Sequence, residues 1–476
     1  MQGKQRYNQA LFVSLDLDQF VPQDHRLRKI DHVLDLSFVR QLTSDLYCKG
    51  EGRPSIDPVV FFKMQVIKYL YGISSDRQLC ADIHVNLAYR WFLRLPIEEK
   101  VPDHSSLTKI RDRLGENVFK EAFEKIVEQC QKAGLMKGKQ MLTDATLIEA
   151  NASLNSLVKN EDLGKTRVEL KTSKIKAKEV NAAHPDIPGG KSETYTPKTH
   201  ASRTDPDSTV VRRDGYRSHL YYKSHCTIDG AKRIITDCFV TTGSKHECTV
   251  FKERVDYVTQ RFNLKPEEWL ADRGYGHGPA YDFLRGKKIR AYIPLRDKRL
   301  GRGKNSPTKG FKFQRKTGRY ICPQGHEMMP HKPEPGYTRY VVKNGACKTC
   351  PVRQSCLGDS KLASKRINRA LHQDEFDALH KRSVTKHFKR KLRERSVKIE
   401  GVFGEDKVNH CLDRALYRGR AKMQMQVYMI FIVHNLKRMA NAAAERATSF
   451  VLDIASVLAF FIRSTIFKKK MQLVVL

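Results

Sequence analysis

The chain has 476 residues, room for two or three domains with sizeable cores, so a single small module is excluded. Lysine and arginine outnumber aspartate and glutamate by 88 to 52, a formal charge of +36 spread along the whole chain. Such a field draws polyanions, because each phosphate neutralised releases condensed counterions, although an anionic membrane surface would be attracted as well.

The opening stretch MQGKQRYNQALFVSLDLDQF carries acids inside its only apolar segment and does not read as a signal peptide. Residues 1–135 read as a helical domain with Ser, Asp and Pro at the helix starts. Within it, Asp57-Pro58 opens the apolar helix VVFFKMQVIKYLYG, which stops at Gly72, and Ser74-Ser75-Asp76 starts another helix. Arg77 and Gln78 fall in its first turn. This is the outline of a helix-turn-helix with Arg77 and Gln78 as candidate DNA-reading side chains, and an ordinary helical hairpin shares that outline.

Strands follow over 136–296: KQMLTDATLIEA, YYKSHCTID, RIITDCFVTTG, EEWLADRGYG and IRAYIPL, with helical patterns VFKERVDYVTQRF and PAYDFLRG between the later ones. This order predicts an α+β or α/β fold, a mixed sheet flanked by helices. Residues 155–215 are poor in apolar side chains and read as a mobile loop. A basic, cysteine-containing insertion occupies 297–380, helices return over 381–447, and 448–476 form an apolar tail. Asp453 and Arg463 break that tail into an uncharged run shorter than the ~20 residues that span a bilayer, so it reads as a docking helix or a loosely packed end, with no membrane partner. The 11 cysteines are an odd number and mostly scattered, which suits a reducing cytoplasm better than a disulfide scaffold.

Two aspartates and a glutamate are candidate site residues. Asp144 sits inside the apolar strand MLTDATLI, where an ionised carboxylate is costly unless something pairs with it; a structural Arg or Lys would serve. Asp272 ends the strand WLAD and opens a glycine-rich loop, where α/β sheets place their sites, although an Asp capping a turn reads the same way. Glu400 lies in a basic helix, and a seven-residue spacing puts Arg393, Glu400 and Lys407 on one stripe, kept low by Gly404. A solvated, salt-bridged face is the alternative, against which Ile399, Val402 and Phe403 indicate burial. His219, His225, His246 and His277 fall near the strands and read as surface or supporting histidines, with His277 nearest the Asp272 loop.

Cys347-x-x-Cys350, Cys356 and Cys322 give four soft ligands, which fit a structural zinc site in an insertion with little apolar core; His326 could replace a thiol, and free cysteines are the alternative. Residues 381–398 hold nine Lys or Arg against one Glu, and 296–319 are similarly basic with Phe311, Phe313 and Tyr320 interleaved. Two such runs near a carboxylate site favour holding a DNA backbone over simple solvation.

The stretches GRPSIDPVVFFKM, YGISSDRQL, PDHSSLTKIRDRL, LTDATLIEANAS, LADRGYG, KIEGVFGEDK and HNLKRM occur in the order found in bacterial insertion-sequence transposases with an Asp-Asp-Glu triad, which the chain resembles from about Pro22 to Met439. The resemblance implies a ribonuclease H-like core after an N-terminal DNA-binding domain. It implies that Asp144, Asp272 and Glu400 bind two Mg2+ or Mn2+ ions and that Lys407 meets the DNA backbone. It further implies cleavage at the element's terminal inverted repeats, strand transfer into target DNA, action as a homodimer on DNA, and a cysteine pattern shared with relatives. In some branches an arginine lies four residues before the glutamate; here that position is Ser396, with Arg393 and Arg395 nearby. A silent DNA-binding relic and a nuclease or resolvase without strand transfer are the competing readings.

Overall fold

The computed structural model describes residues 15–48, 55–163, 199–212, 218–295, 310–334, 337–342, 345–358 and 360–473, the last of these without side chains beyond 449. Two units emerge: one of residues 1–137, 145–245 and 401–476, the other of 138–144 and 246–400.

The first unit opens with helices α1 (Leu17–Phe20), α2 (Arg26–Val33), α3 (Phe38–Thr43), α4 (Pro58–Leu70), α5 (Asp76–Val85), α6 (Leu87–Leu93) and α7 (His104–Lys132). Asp57 caps α4 by accepting from Val59 N, with Pro58 at the first turn, where its missing N–H costs nothing. Ser75 caps α5 by accepting from Arg77 N and Gln78 N. The turn between them needs Gly72, whose φ is +65° and where an added Cβ would lie 2.9 Å from Asn409 O. Helix α4 is buried from Phe61 through Leu70 apart from Lys63, more than an amphipathic stripe would require. Its Lys68 is 1% exposed and holds Asp76 at 2.5 Å and Tyr417 Oη at 2.7 Å, while Arg111 reaches Asp76 at 2.9 Å, so burial of these charges is offset by pairing.

The unit's strands are the Ala145–Glu149 half of β1 (Gln140–Glu149), β2 (Leu157–Lys159), β3 (His200–Ser202), β4 (Thr209–Val211), β5 (His219–Asp229) and β6 (Ile235–Thr242). β4 and β6 each pair antiparallel with β5, and β2 pairs with β3. Much of the expected mobile loop, 164–198 and 213–217, lies outside the described residues; its described parts carry these short strands. Among the described residues β5 is the only strand beside β6, so the other edge of β6 calls for partners of a different kind. The long C-terminal helix Arg420–Leu473 covers it: Gln424 accepts from Val240 N at 2.6 Å, and Asn435 both accepts from Ile235 N and donates to Ile235 O at 2.9 Å. Two amide side chains thus do for this edge what a further strand would do.

In the second unit the Gln140–Asp144 end of β1 runs parallel to β7 (Glu268–Ala271), and β7 runs parallel to β8 (Arg290–Tyr292). Helices α8 (Phe251–Arg261) and α9 (Gly278–Gly286) connect them. The insertion is a five-stranded antiparallel sheet, β9 (Lys312–Gln314), β10 (Arg319–Ile321), β11 (Glu327–Glu334), β12 (Tyr337–Val342) and β13 (Arg366–Ala370). Alternating Tyr320, Met328, Tyr340, Val342 and Ile367 face one side and bury together with Phe311, so the insertion has its own small core, contrary to the expectation from its composition. Phe311 and Tyr320 belong to that core and Phe313 packs on it beneath the Arg369 guanidinium, 3.7 Å away, so these aromatics are not a stacking surface for bases. The neighbouring basic stretch 296–309 lies outside the described residues. After short α10 (Arg353–Leu357), helices α11 (Gln373–Ser383) and α12 (Lys386–Arg395) follow.

Candidate active site

The register of β1 on β7 sets the site. Thr143 pairs with Ala271, so the next position puts Asp144, midway along β1, beside Asp272, the residue that follows the end of β7, on parallel chains that run ~4.8 Å apart. Trp269 Nε1 donates to Thr143 Oγ1 at 3.0 Å and pins that register one step before the acids. Asp272 leaves its strand extended and caps the short 3₁₀ turn Arg273–Tyr275, accepting from Gly274 N at 2.8 Å.

Glu400 arrives on a helix whose regularity is broken. Between α12 and α13 (Gly401–Asn409) a π turn spans Ser396–Glu400. A π turn closes five residues back instead of four, so the extra residue rotates what precedes it. The seven-residue stripe assumed 3.6 residues per turn throughout; its Arg393–Glu400 half crosses the π turn, whereas Glu400–Lys407 runs along α13. Ser396 still stands four residues before Glu400, and the arginine is Arg395, one residue further back. Its Nη1 donates to Asp144 Oδ2 at 2.7 Å, and Ser396 Oγ donates to Glu400 Oε1 at 2.6 Å. The structure thus links Asp144, Arg395, Ser396 and Glu400 within one unit. Arg395 is also the basic partner that a half-buried Asp144 calls for.

The basic run on α12 divides into two faces. Lys391 pairs with Glu268 at 2.5 Å, and Lys398 reaches Glu394 at 2.6 Å and Gln140 at 3.1 Å, so these cations anchor the helix to the strands. Burial works against ionisation of Glu268, yet the hydrogen bonds from Lys391 and Gln140 hold its carboxyl below the usual range. Lys386, Lys389, Arg390 and Arg393 are exposed on the other side. Lys407 is half-buried, and burial lowers its pKa against the opposing charge of Asp413. Arg77 and Gln78 are exposed at the start of α5, where Arg77 Nε donates to His104 Nε2 at 3.2 Å and Gln78 to Asp82 at 2.5 Å. Of the histidines, His225 is buried against Thr241 at 3.0 Å, His219 bonds Leu220 O at 3.0 Å, His246 meets Cys248 at 3.3 Å, and His277 Nδ1 lies 3.0 Å from Tyr275 O.

Among the described residues, no group of three or more His, Cys, Asp or Glu side chains is arranged to hold a metal ion. For the carboxylates the donor type and the strand register fit a hard divalent cation, while Asp144 is engaged by Arg395. Cys322, Cys347, Cys350 and Cys356 lie near enough that burial and the other three thiols raise the Cys356 pKa, opposed by Lys365. Cys322 Sγ accepts from His326 N at 3.3 Å and Cys347 Sγ from Lys365 N at 3.5 Å. Their soft donors suit zinc in kind.

Residues 15–113 match the family model described as "Transposase domain (DUF772)", and residues 321–440 match "Transposase DDE domain". The second match takes in Glu400 and all four clustered cysteines, while Asp144 and Asp272 lie outside it. Both matches are to transposase families, and they support a DDE transposase. No curated protein matches it. Among solved structures, the piggyBac transposase synaptic complex with hairpin DNA is similar at 10% identity over 87% of this chain and 76% of that one, with a TM-score of 0.30. A pre-cleavage Mos1 transpososome matches at 10% identity over 52% of this chain and 61% of that one, TM-score 0.16. The Mos1 mariner paired end complex with Mn matches at 11% identity over 53% and 64%, TM-score 0.16. Likenesses this distant assign neither fold details nor residues.

Proposed function

We propose that this transposase cuts DNA at the terminal inverted repeats of an insertion sequence and joins the freed ends to target DNA, on a ribonuclease H-like core, with Asp144, Asp272 and Glu400 as its triad. The observation that carries this reading is the register of β1 on β7, which sets Asp144 beside Asp272 just past the end of β7, with Glu400 reached through Arg395 and Ser396. The three carboxylates would hold Mg2+ or Mn2+, two ions in all, which supply an activated water and relieve charge on the attacking and leaving oxygens. With Asp144 committed to a cation, the Arg395 guanidinium would be left to meet a phosphate. Lys386, Lys389, Arg390 and Arg393 hold the backbone leading to Glu400, with Lys407 beyond it. The helix pair carrying Arg77 and Gln78 reads the element end, the four cysteines hold structural zinc, and two copies pair two ends on DNA. The residues 1–135, 136–296, 297–380 and 381–447 would then act as DNA-binding domain, core, insertion and Glu-bearing helices.

The test is magnesium-dependent cleavage and joining of the element's flanking DNA by wild type and by Asp144→Ala, Asp272→Ala and Glu400→Ala. The reading requires that wild type cut and join and that each variant bind DNA but leave it intact. Cutting without joining would make the chain a nuclease. An inert wild type would leave a DNA-binding relic with Asp144 locked to Arg395.

A further inference from the structure

Glu247 is absent from the triad, yet its carboxylate meets the same turn as Asp272. A Cβ built on Gly274 would collide with Glu247 Oε2 and lie 3.0 Å from Asp272 Oδ1, so the two carboxylates converge over the Gly274 backbone. Both are half-buried. Glu247 is held there by its surroundings: it opens the 3₁₀ turn Glu247–Thr249 that leads into α8. Phe251, the first residue of α8, packs edge-on to Trp269 at 6.2 Å and against Tyr275 at 5.3 Å. All three rings are at most 1% exposed, and Trp269 and Tyr275 flank Asp272 in the chain. The aromatic cluster therefore fixes the Glu247 turn against the Asp272 turn, and the missing side chain of Gly274 is what lets the carboxylates approach.

We infer that Glu247 is a positioning residue for Asp272: it fixes the turn from which the Asp272 carboxylate projects and adds negative charge where a divalent cation is to be drawn. This rests on the proposed metal-binding role of Asp272. Groups that orient a metal-binding side chain typically change affinity about 10-fold or more when removed.

The test is Mn2+ binding to the full, DNA-free chain, read by electron paramagnetic resonance, beside a urea unfolding curve for each protein. Glu247→Gln keeps the shape and removes the charge, and it should weaken Mn2+ binding about 10-fold with an unchanged unfolding midpoint. Glu247→Asp should recover part of the loss. Gly274→Ala keeps the charge but its methyl pushes the Glu247 carboxylate aside, so it should show the same weakening, and it decides the matter if Glu247→Gln fails to fold. Asp272→Ala separates the two ideas. If it abolishes binding while Glu247→Gln and Gly274→Ala bind like wild type, Glu247 has no positioning role and the metal reading stands. If Asp272→Ala itself binds like wild type, the metal reading falls and the role of Glu247 falls with it.

Discussion

At the scale of single residues, the decisive contacts are ion pairs whose worth depends on exposure. The Arg395–Asp144 pair is 13% and 18% exposed, buried enough that removing one partner leaves the other poorly solvated. Arg395→Ala should lose about 1–2 kcal/mol in urea unfolding and regain part of it in Mg2+, which would replace the missing cation. Equal stability of wild type and variant in both conditions would dissociate Arg395 from the carboxylate. Glu405 gives a pH test. Burial resists its ionisation, but the hydrogen bond from Lys437 and the charges of His434, Lys437 and Arg438 bring its pKa down to about 2. Because the folded pKa lies below the unfolded one, the carboxylate stabilises fully above the unfolded pKa of about 4.5 and loses that contribution as pH falls towards 2. Its side chain is a quarter exposed, so screening leaves about 1 kcal/mol. Glu405→Gln should therefore flatten the unfolding free energy between pH 5 and 2 by about that amount.

At the scale of elements, β6 and the π turn matter most. The buried amides Gln424 and Asn435 satisfy the outer edge of β6, and no apolar residue could replace them without orphaning backbone groups. Asn435→Ala should cost about 2–4 kcal/mol and raise amide exchange at Ile235, read by hydrogen–deuterium exchange. An unprotected Ile235 amide already present in wild type would contradict the contact. The helix ends are more local: Ser75 alone caps two N–H groups of α5, which is why its sequence signature is so readable.

At the scale of the whole molecule, the formal charge of +36 makes DNA binding strongly salt-dependent, but not every cation contributes. Lys391 on α12 and Lys398 in the π turn are committed to acids, whereas Lys386, Lys389, Arg390 and Arg393 on α12 are exposed. Replacing those four with Ala should lower the slope of log affinity against log salt by about 3–4, at roughly 0.9 per phosphate contact, with little effect on stability. Lys391→Ala and Lys398→Ala should do the reverse. A slope unchanged by the fourfold variant would place the DNA elsewhere.

The strands around Asp144 and Asp272, the capped helices at Asp57 and Ser75, and Asp272 at the end of its strand were legible in the sequence, because alternation, caps and glycine turns are local signals. Glu400 was singled out by the family motifs together with its place in a basic helix. What the chain alone could not show is contact across long separations. The π turn that brings Arg395 to Asp144 departs from the 3.6-residue period on which a helical stripe is drawn. The insertion's core is assembled from short strands that each contribute at most two buried residues, so composition concealed it. Glu247 looked like any surface acid, and only packing of Phe251 on Trp269 and Tyr275 puts it beside Asp272. Sequence determined which backbone forms each segment prefers, since those depend on neighbours along the chain. Tertiary structure decided which charges are paired and which remain exposed, since that depends on neighbours in space.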